Sequence, residues 1–173
     1  ELEKIRAAYR RERQEVVALF NQGLRHGDTK RWPEAIAAFR DCLALDAYHS
    51  KAWYALGMAH YSQNRGNCEA EYVPYTRCIA LDPKHAMAHH NLGEMLRAVR
   101  RDYDGAEAHY RKSIEVDPKQ TYARWNLSII LEDSKSRKTT SPAPSGSWRR
   151  SFASAGFGVL ATARTASRPS DAS

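Results

Sequence analysis

The chain has 173 residues, of which 42% are hydrophobic and 27% are charged, so it is long enough to bury the core of one globular domain. No stretch approaches the roughly 18 consecutive apolar residues of a membrane span, and the charged amino-terminal stretch excludes a secretory signal peptide. Cys42, Cys68 and Cys78 lack the close spacing of a zinc site, and their odd number leaves one unpaired. We therefore expect an intracellular protein, in the cytoplasm or the nucleus.

The formal net charge of +7 is concentrated near the carboxyl end of the chain. Residues 134–173 contain seven Lys and Arg residues and one Asp, which leaves 20 basic and 19 acidic residues in 1–133. A nearly neutral body offers no extended positive field to a phosphate backbone or a membrane surface. The charge distribution therefore argues against nucleic acid or membrane as the main partner.

The first predicted element is a helical extension over residues 1–14, which is rich in Arg and Glu and contains no Gly or Pro. This helix either continues straight into the following domain or packs as a separate amino-terminal element. Because the chain begins with Glu1 instead of methionine, we expect it to be a fragment or a processed product.

Residues 15–133 repeat one pattern, seen in AAFRDCLALDAYHSKAWYALG, VPYTRCIALDPKHAMAHHNLG and AHYRKSIEVDPKQTYARWNLS. The aspartates of these stretches, Asp46, Asp82 and Asp117, are 36 and 35 residues apart. Apolar residues recur at three and four positions within each repeat, which predicts a pair of amphipathic helices. The second helix of each pair is expected to end at the aspartate, where an Asp-Pro or Asp-Ala step follows.

This pattern resembles that of the tetratricopeptide repeat family, whose signature is W-x2-L-G-x2-Y, A-x3-F and P at a period of about 34 residues. The signature positions are Gly23, Ala35, Phe39, Trp53, Leu56, Gly57, Tyr75, Pro83, Leu92, Gly93, Ala106, Tyr110 and Pro118. The resemblance implies an all-α solenoid with a right-handed superhelix. Three helix pairs, at about 16–49, 50–85 and 86–120, would be followed by a capping helix at 121–133.

The second repeat departs from the family pattern, because it has Glu71 where the family places alanine and Pro74 inside its second helix. Either this helix begins late, so that Pro74 lies in its first turn, or it kinks at the proline. A late start would leave Ala70 as the small residue that contacts the neighbouring helix.

Sequence motifs for catalysis are absent, and the sequence predicts no catalytic residue and no cofactor. His85 and His89 have the i, i+4 spacing of a metal-binding pair, but no Cys or acidic ligand lies at a matching position. Cys42 and Cys78 occupy the same small-residue position of successive second helices, so we expect them in the core. Binding is therefore the favoured class of function, and no metal site is predicted.

The resemblance also implies where a ligand would bind. In this family the first helices of the pairs line a concave groove, facing it with the positions two before, one after and four after the glycine. The position two before the glycine is occupied by Asn21, Ala55, Asn91 and Asn126, which is similar to the asparagine ladder of O-linked N-acetylglucosamine transferases. These amides could pair with the peptide groups of an extended ligand, or they could cap or solvate a helix surface.

Aromatic side chains accompany the predicted groove. Tyr54, Tyr61 and His90 lie at neighbouring positions and are expected to anchor side chains of a partner. Tyr122 and Trp125 fit this role or a plain packing role, since a terminal helix lacks a following unit that defines its faces.

Cochaperones of this family bind the acidic carboxyl terminus of chaperones through a carboxylate clamp of Lys, Asn, Asn, Lys and Arg. The corresponding residues here are Phe20, Leu24, Ala55, Met87 and Asn91. The resemblance therefore implies a scaffold that binds a protein or peptide other than an acidic chaperone tail. The alternative is the substrate-recognition fragment of a larger, O-linked N-acetylglucosamine transferase-like glycosyltransferase whose catalytic domain is absent from this chain.

Residues 134–173 differ in composition, being rich in Ser, Ala and Arg with three prolines, and they predict a disordered tail. The tail is either a solvated linker or a segment that contacts polyanions, including nucleic acid, and is tuned by phosphorylation.

Overall fold

The structure, a computed structural model, describes residues 1–64 and 69–140, with side chains as far as residue 134. Within these ranges the chain forms helices and no strand. The helices are α1 (Leu2–Asp28), α2 (Trp32–Leu45), α3 (Ser50–Asn64), α4 (Tyr72–Leu81), α5 (Ala86–Met95), α6 (Tyr103–Val116) and α7 (Thr121–Thr140). A 3-10 turn, Glu69–Glu71, precedes α4, and a π-helical turn, Leu96–Arg100, follows α5.

Each helix from α1 to α5 packs on the next helix in the chain, and Ala123 and Ile130 of α7 join the buried cluster around Tyr110. The helix pairs α1–α2, α3–α4 and α5–α6 are those expected from the repeats, with α7 as the additional helix. The predicted all-α solenoid is therefore confirmed.

The repeated aspartates have one structural role in all three repeats, because each ends the second helix with a side-chain turn. The Oδ1 atoms of Asp46, Asp82 and Asp117 accept a hydrogen bond from the backbone N–H two residues later, at 3.0, 3.1 and 3.0 Å. Aspartate favours turns because its short side chain can replace a backbone acceptor in this way. The connection to the next repeat therefore has the same local geometry each time.

The two helices of each pair approach closely where a glycine faces an aromatic ring. A Cβ atom added at Gly23 would lie 2.4 Å from the Phe39 ring, and one at Gly57 would lie 2.5 Å from the Tyr75 ring. At Gly93 the corresponding distance to Tyr110 is 2.8 Å. These rings are at most 3% exposed, so they have no room to move aside. Glycine is therefore required by the close approach of the helices.

We expect Gly57→Ala to destabilise the protein in a denaturant titration. Overpacking a closed core costs about 1–3 kcal/mol, which outweighs the gain of up to about 1 kcal/mol in helix propensity. The matched control is Gly27→Ala, where the added Cβ would make an ordinary contact of 3.7 Å with Trp32. That variant should gain about 0.4–1 kcal/mol, because alanine restricts the unfolded chain. Equal stability of the two variants would contradict the close approach at Gly57.

The second repeat follows the late-start alternative for its second helix. Pro74 lies in the first turn of α4, where no intrahelical hydrogen bond is lost. The prediction for Ala70 is wrong, because Ala70 is exposed and Glu71 is only 1% exposed. Glu71 lies four residues before Tyr75, just as Ala35 lies four before Phe39 and Ala106 lies four before Tyr110. This spacing of about one helical turn determines which residue is buried.

The ends of the helical region differ from the predicted boundaries. Helix α1 continues without a break across residues 14 and 15, and residues 1–15 are all exposed. Helix α7 continues to Thr140, although the tail was expected to begin at residue 134. The predicted disorder of residues 141–173 concerns a segment outside the described residues.

Cys42 and Cys78 are fully buried and unpaired, as core residues of α2 and α4.

Candidate functional site

Helices α1, α3, α5 and α7 line two adjoining cavities. The first has a volume of about 310 Å³ and is lined by Met58, Tyr61, His90, Asn91, Glu94, Arg97, Tyr122, Trp125 and Asn126. The second has a volume of about 510 Å³ and is lined mainly by α1 and α3. Met58 lines both cavities, so together they form one groove. We call the first the α5–α7 cavity and the second the α1–α3 cavity.

The structure brings five of the six predicted groove residues together. Tyr61, His90, Asn91 and Asn126 line the α5–α7 cavity, and Tyr54 lines the α1–α3 cavity. Asn21 is exposed on α1 and lines neither of these cavities.

Asn91 connects three helices beneath the groove. Its amide nitrogen donates towards Met58 Sδ at 3.0 Å and towards the hydroxyl oxygens of Tyr54 and Tyr75, each at 3.4 Å. Its carbonyl oxygen accepts from His90 Nδ1 at 3.1 Å. The side chain of Asn91 is thus engaged within the chain and does not cap a helix.

Asn126 is 7% exposed and its amide nitrogen is also engaged within the chain. It donates to Glu94 Oε1 at 2.6 Å and contacts His90 Nε2 at 3.2 Å. Because Nε2 of His90 faces a donor and Nδ1 faces the Asn91 carbonyl, the hydrogen bonds assign the proton of His90 to Nδ1. Two of the three predicted ladder asparagines, Asn91 and Asn126, therefore both contact His90.

Glu94 lies at the centre of this network. Its Oε1 atom accepts from the Tyr110 hydroxyl and from Asn126, and its Oε2 atom accepts from Arg97 Nη2 at 3.2 Å. Burial, followed by Glu94 itself, raises the pKa of Tyr110 above its usual value, so this hydroxyl stays protonated and donates. The hydrogen bond to Glu94 likewise raises the pKa of Arg97 and keeps its charge.

Glu94 and Arg97 were not among the predicted groove residues, although the sequence contains their signal. They stand one and four residues after Gly93, the same register positions that Met58 and Tyr61 hold after Gly57. The register of the glycines therefore locates all four side chains on the groove face.

Aromatic side chains at the α7 end of the groove remain open to solvent. Tyr122 is 71% exposed, Trp125 is 64% exposed and Tyr61 is 44% exposed. Tyr122 and Trp125 therefore do not serve as interior packing residues, which was one of the two expectations for them. The ring of Tyr122 lies near that of His90, with centroids 6.5 Å apart.

The α1–α3 cavity has a different lining from the α5–α7 cavity. Phe20, Leu24 and Ala55, which occupy three positions of the carboxylate clamp, contribute apolar surface to it. Phe39 reaches it from the second helix of the first repeat. The α1–α3 cavity thus combines these apolar side chains with the charged residues Asp28 and Lys51.

The candidate histidine pair is engaged in other contacts. His85 Nδ1 accepts from the backbone N–H of Ala88 at 3.1 Å and caps α5. His89 Nε2 contacts the carbonyl oxygen of Pro83 at 3.2 Å. Trp53, at the same position of the preceding repeat, makes the equivalent contact, because its Nε1 donates to the carbonyl oxygen of Ala47. Both histidines therefore have structural roles, and no group of three metal-ligating side chains occurs in the part of the chain that the structure describes.

Comparison with known proteins supports the repeat assignment. Residues 20–66 match the family model of the tetratricopeptide repeat. Anaphase-promoting complex subunit 3 of Schizosaccharomyces pombe is 26% identical over 110 residues, which are 64% of this chain and 16% of that protein. The chain thus corresponds to a small part of this relative.

No helix among the described residues has the length and apolar character needed to cross a bilayer.

Solved structures share the fold. MamA is 25% identical with a TM-score of 0.65, and the match covers 71% of this chain and 70% of MamA. The O-GlcNAc transferase of Thermobaculum terrenum is 24% identical with a TM-score of 0.61, over 70% of this chain and 23% of that one. The first repeat domain of Spaghetti (RPAP3), bound to an HSP90 peptide, is 17% identical with a TM-score of 0.65, over 70% and 94%. Together with the repeated helix pairs, these matches show a tetratricopeptide repeat at residues 20–66 and a fold shared with solved tetratricopeptide repeat domains.

Proposed function

We propose that this chain is an interaction module that binds a peptide or protein partner in the groove formed by α1, α3, α5 and α7. The observation that carries the proposal is the pair of adjoining cavities, of about 310 and 510 Å³, on the face where the family resemblance implies a ligand. A groove built on packed helices is already ordered, which lowers the entropic cost of binding. The solved repeat domains of RPAP3 hold HSP90 and HSP70 peptides, which supports the same mode of use here.

The groove residues divide into a floor and a rim in this proposal. Asn91 and Asn126 fix the floor by joining neighbouring helices, and Tyr54 and His90 hold them in place. Tyr61 at the rim presents an exposed ring to the partner. Asn21 would reach only a ligand that extends along α1 beyond the two cavities. The module contributes binding, and no side chain in it is assigned a catalytic role.

An acidic chaperone tail is not the ligand that this groove favours. A carboxylate clamp requires cationic and amide side chains, whereas Phe20, Leu24 and Ala55 give the corresponding region an apolar surface.

Peptide selection tests the proposed function. The full chain is immobilised, random displayed dodecapeptides are selected on it, and the enriched peptides are synthesised for affinity measurement. We expect Tyr61→Ala to weaken their binding by about tenfold or more, since exposed aromatic anchors carry much of the binding energy. The matched control is Tyr48→Ala, which removes a tyrosine that is 83% exposed and lines neither cavity. Failure to enrich any peptide, or equal affinity of both variants, would contradict the proposal.

A second candidate follows from the likeness to the Thermobaculum terrenum O-GlcNAc transferase, whose chain is only partly covered. In that case this chain would be the substrate-recognition part of a larger glycosyltransferase. Sequencing the gene on both sides of the present chain tests this directly. A glycosyltransferase domain in the same reading frame would support it, and complete flanking sequence without one would exclude it.

A further inference from the structure

The two halves of the groove differ because of one atom in the second helix of each repeat. The rings of Phe39, Tyr75 and Tyr110 all pass a glycine of the preceding helix and extend towards the groove. The tyrosine hydroxyls contact Asn91 and Glu94, which line the α5–α7 cavity. Phe39 has no hydroxyl and brings only carbon to the α1–α3 cavity. The α1–α3 cavity is therefore the more apolar of the two, and the α5–α7 cavity contains the hydrogen-bonding groups of Asn91 and Glu94.

The α5–α7 cavity retains an unfilled capacity to accept hydrogen bonds. A carboxylate offers about four acceptor positions. The described donors to Glu94 are three, from Tyr110, Asn126 and Arg97. The Glu94 side chain is 26% exposed, so a ligand has access to it. A group that donates a hydrogen bond and carries positive charge matches this position best.

Three exposed aromatic side chains line the same cavity as this acceptor. Tyr61, Tyr122 and Trp125 line the same cavity as Glu94, and each is at least 44% exposed. A cation over the face of such a ring gains about 0.5–1 kcal/mol at an exposed site and more when water is excluded. Exposed rings beside a carboxylate thus suit the long apolar stem and charged end of a lysine or arginine.

We propose that the partner is an extended peptide with a lysine or arginine in the α5–α7 cavity and an apolar residue in the α1–α3 cavity. The basic side chain lies among Tyr61, Tyr122 and Trp125 and donates to Glu94. The apolar residue packs on Phe20 and Leu24. This inference rests on the proposed function and adds the chemistry of its ligand. An acidic side chain bound by Arg97 is the competing occupant, and the experiment includes it.

An array of immobilised nonapeptides tests this chemistry with the full chain. Each peptide contains one leucine and, two to five residues away in a Gly/Ser background, one lysine, norleucine or glutamate. An extended chain advances about 3.3 Å per residue, so these separations span roughly 7–17 Å, which includes the typical spacing of packed helices. We expect the lysine peptides to bind about tenfold more tightly than the norleucine peptides, and the glutamate peptides to bind most weakly.

Charge removal at Glu94 provides the decisive comparison. Glu94→Gln should reduce binding of the lysine peptides by about tenfold and leave the norleucine peptides unchanged. The matched control is Glu115→Gln on α6, which removes a carboxylate that is 68% exposed and lines neither cavity. If Glu94→Gln unfolds, Trp125→Leu keeps apolar bulk at an exposed position, removes the ring face and should lower the preference for lysine over norleucine.

The outcomes separate this inference from the proposed function. Equal binding of lysine and norleucine peptides, with both weakened by Tyr61→Ala, would overturn the basic-ligand inference and leave the binding groove standing. Preference for the glutamate peptides would also overturn the basic-ligand inference, and it would indicate that Arg97 binds an acidic side chain in this cavity. Absence of binding by every peptide would overturn both.

Discussion

Tyr75→Ala is expected to lower the free energy of unfolding by about 3–5 kcal/mol, the usual cost of removing a large buried ring. Tyr75 is fully buried, it fills the space opposite Gly57, and its ring lies 6.1 Å from that of Tyr54. In a repeat array each unit is stabilised by its neighbours, so a cavity in the middle repeat weakens the contacts on both sides. Urea titration of the full chain, followed by far-ultraviolet circular dichroism, measures the effect.

Two variants serve as controls for Tyr75→Ala. Tyr48→Ala removes a ring that is 83% exposed, and it should change stability by no more than about 0.5 kcal/mol. Tyr75→Phe keeps the ring and should cost about 1 kcal/mol or less, because it removes only the 3.4 Å contact with Asn91. A loss for Tyr75→Phe as large as for Tyr75→Ala would show that the hydroxyl, and not the filled volume, holds the middle repeat together.

Glu71→Gln is expected to remove a pH dependence of stability that the wild-type chain carries. Burial raises the pKa of Glu71 from its ordinary value of 4.5 to about 7, and its Oε1 atom has no hydrogen-bond partner among the residues that the structure describes. Between pH 4.5 and about pH 7, the folded state therefore keeps a proton on Glu71 that the unfolded state has released. Its stabilising effect is complete below pH 4.5 and is lost as the pH rises to about 7. The loss amounts to about 3 kcal/mol.

Unfolding titrations of both proteins between pH 4 and pH 8 give the difference curve. Glu71→Gln should gain stability relative to wild type as the pH rises through this range and level off above about pH 7. Glu115→Gln, at a position that is 68% exposed, controls for the loss of one negative charge. A difference curve for Glu71→Gln that is flat over the whole range would mean that the Glu71 carboxyl has access to solvent in the folded protein.

Residues within one helical turn or one loop determine the parts of the fold that the sequence predicts well. The aspartate turns depend on a side chain and a backbone N–H two residues apart, as at Asp82 and Lys84. The glycine–ring contacts depend on the A-x3-F spacing within the second helix. The same spacing identifies Glu71, four residues before Tyr75, as the buried residue. The Ala70 prediction was wrong because it assumed that the late start of the helix shifts the position of the small residue, whereas the spacing to the ring is unchanged.

The groove is less predictable, because its side chains meet across repeats. Asn91 contacts residues 37 and 33 positions earlier, and Asn126 contacts residues 36 and 32 positions earlier. The repeat register indicates that these side chains face the groove. It does not determine which of them bond to one another, since that depends on the distance between neighbouring helices. The hydrogen bonds from Asn126 to Glu94 and from Glu94 to Tyr110 emerge only from the assembled solenoid.

Where an aromatic ring passes a glycine, a side chain of the second helix reaches the side chains that line the groove. The rings of Phe39, Tyr75 and Tyr110 are at most 3% exposed and belong to the second helices of the repeats, yet the hydroxyls of the two tyrosines reach side chains of the α5–α7 cavity. If the groove binds a ligand as we propose, exchanging phenylalanine and tyrosine at these buried positions would change the polarity of the surface beside that ligand.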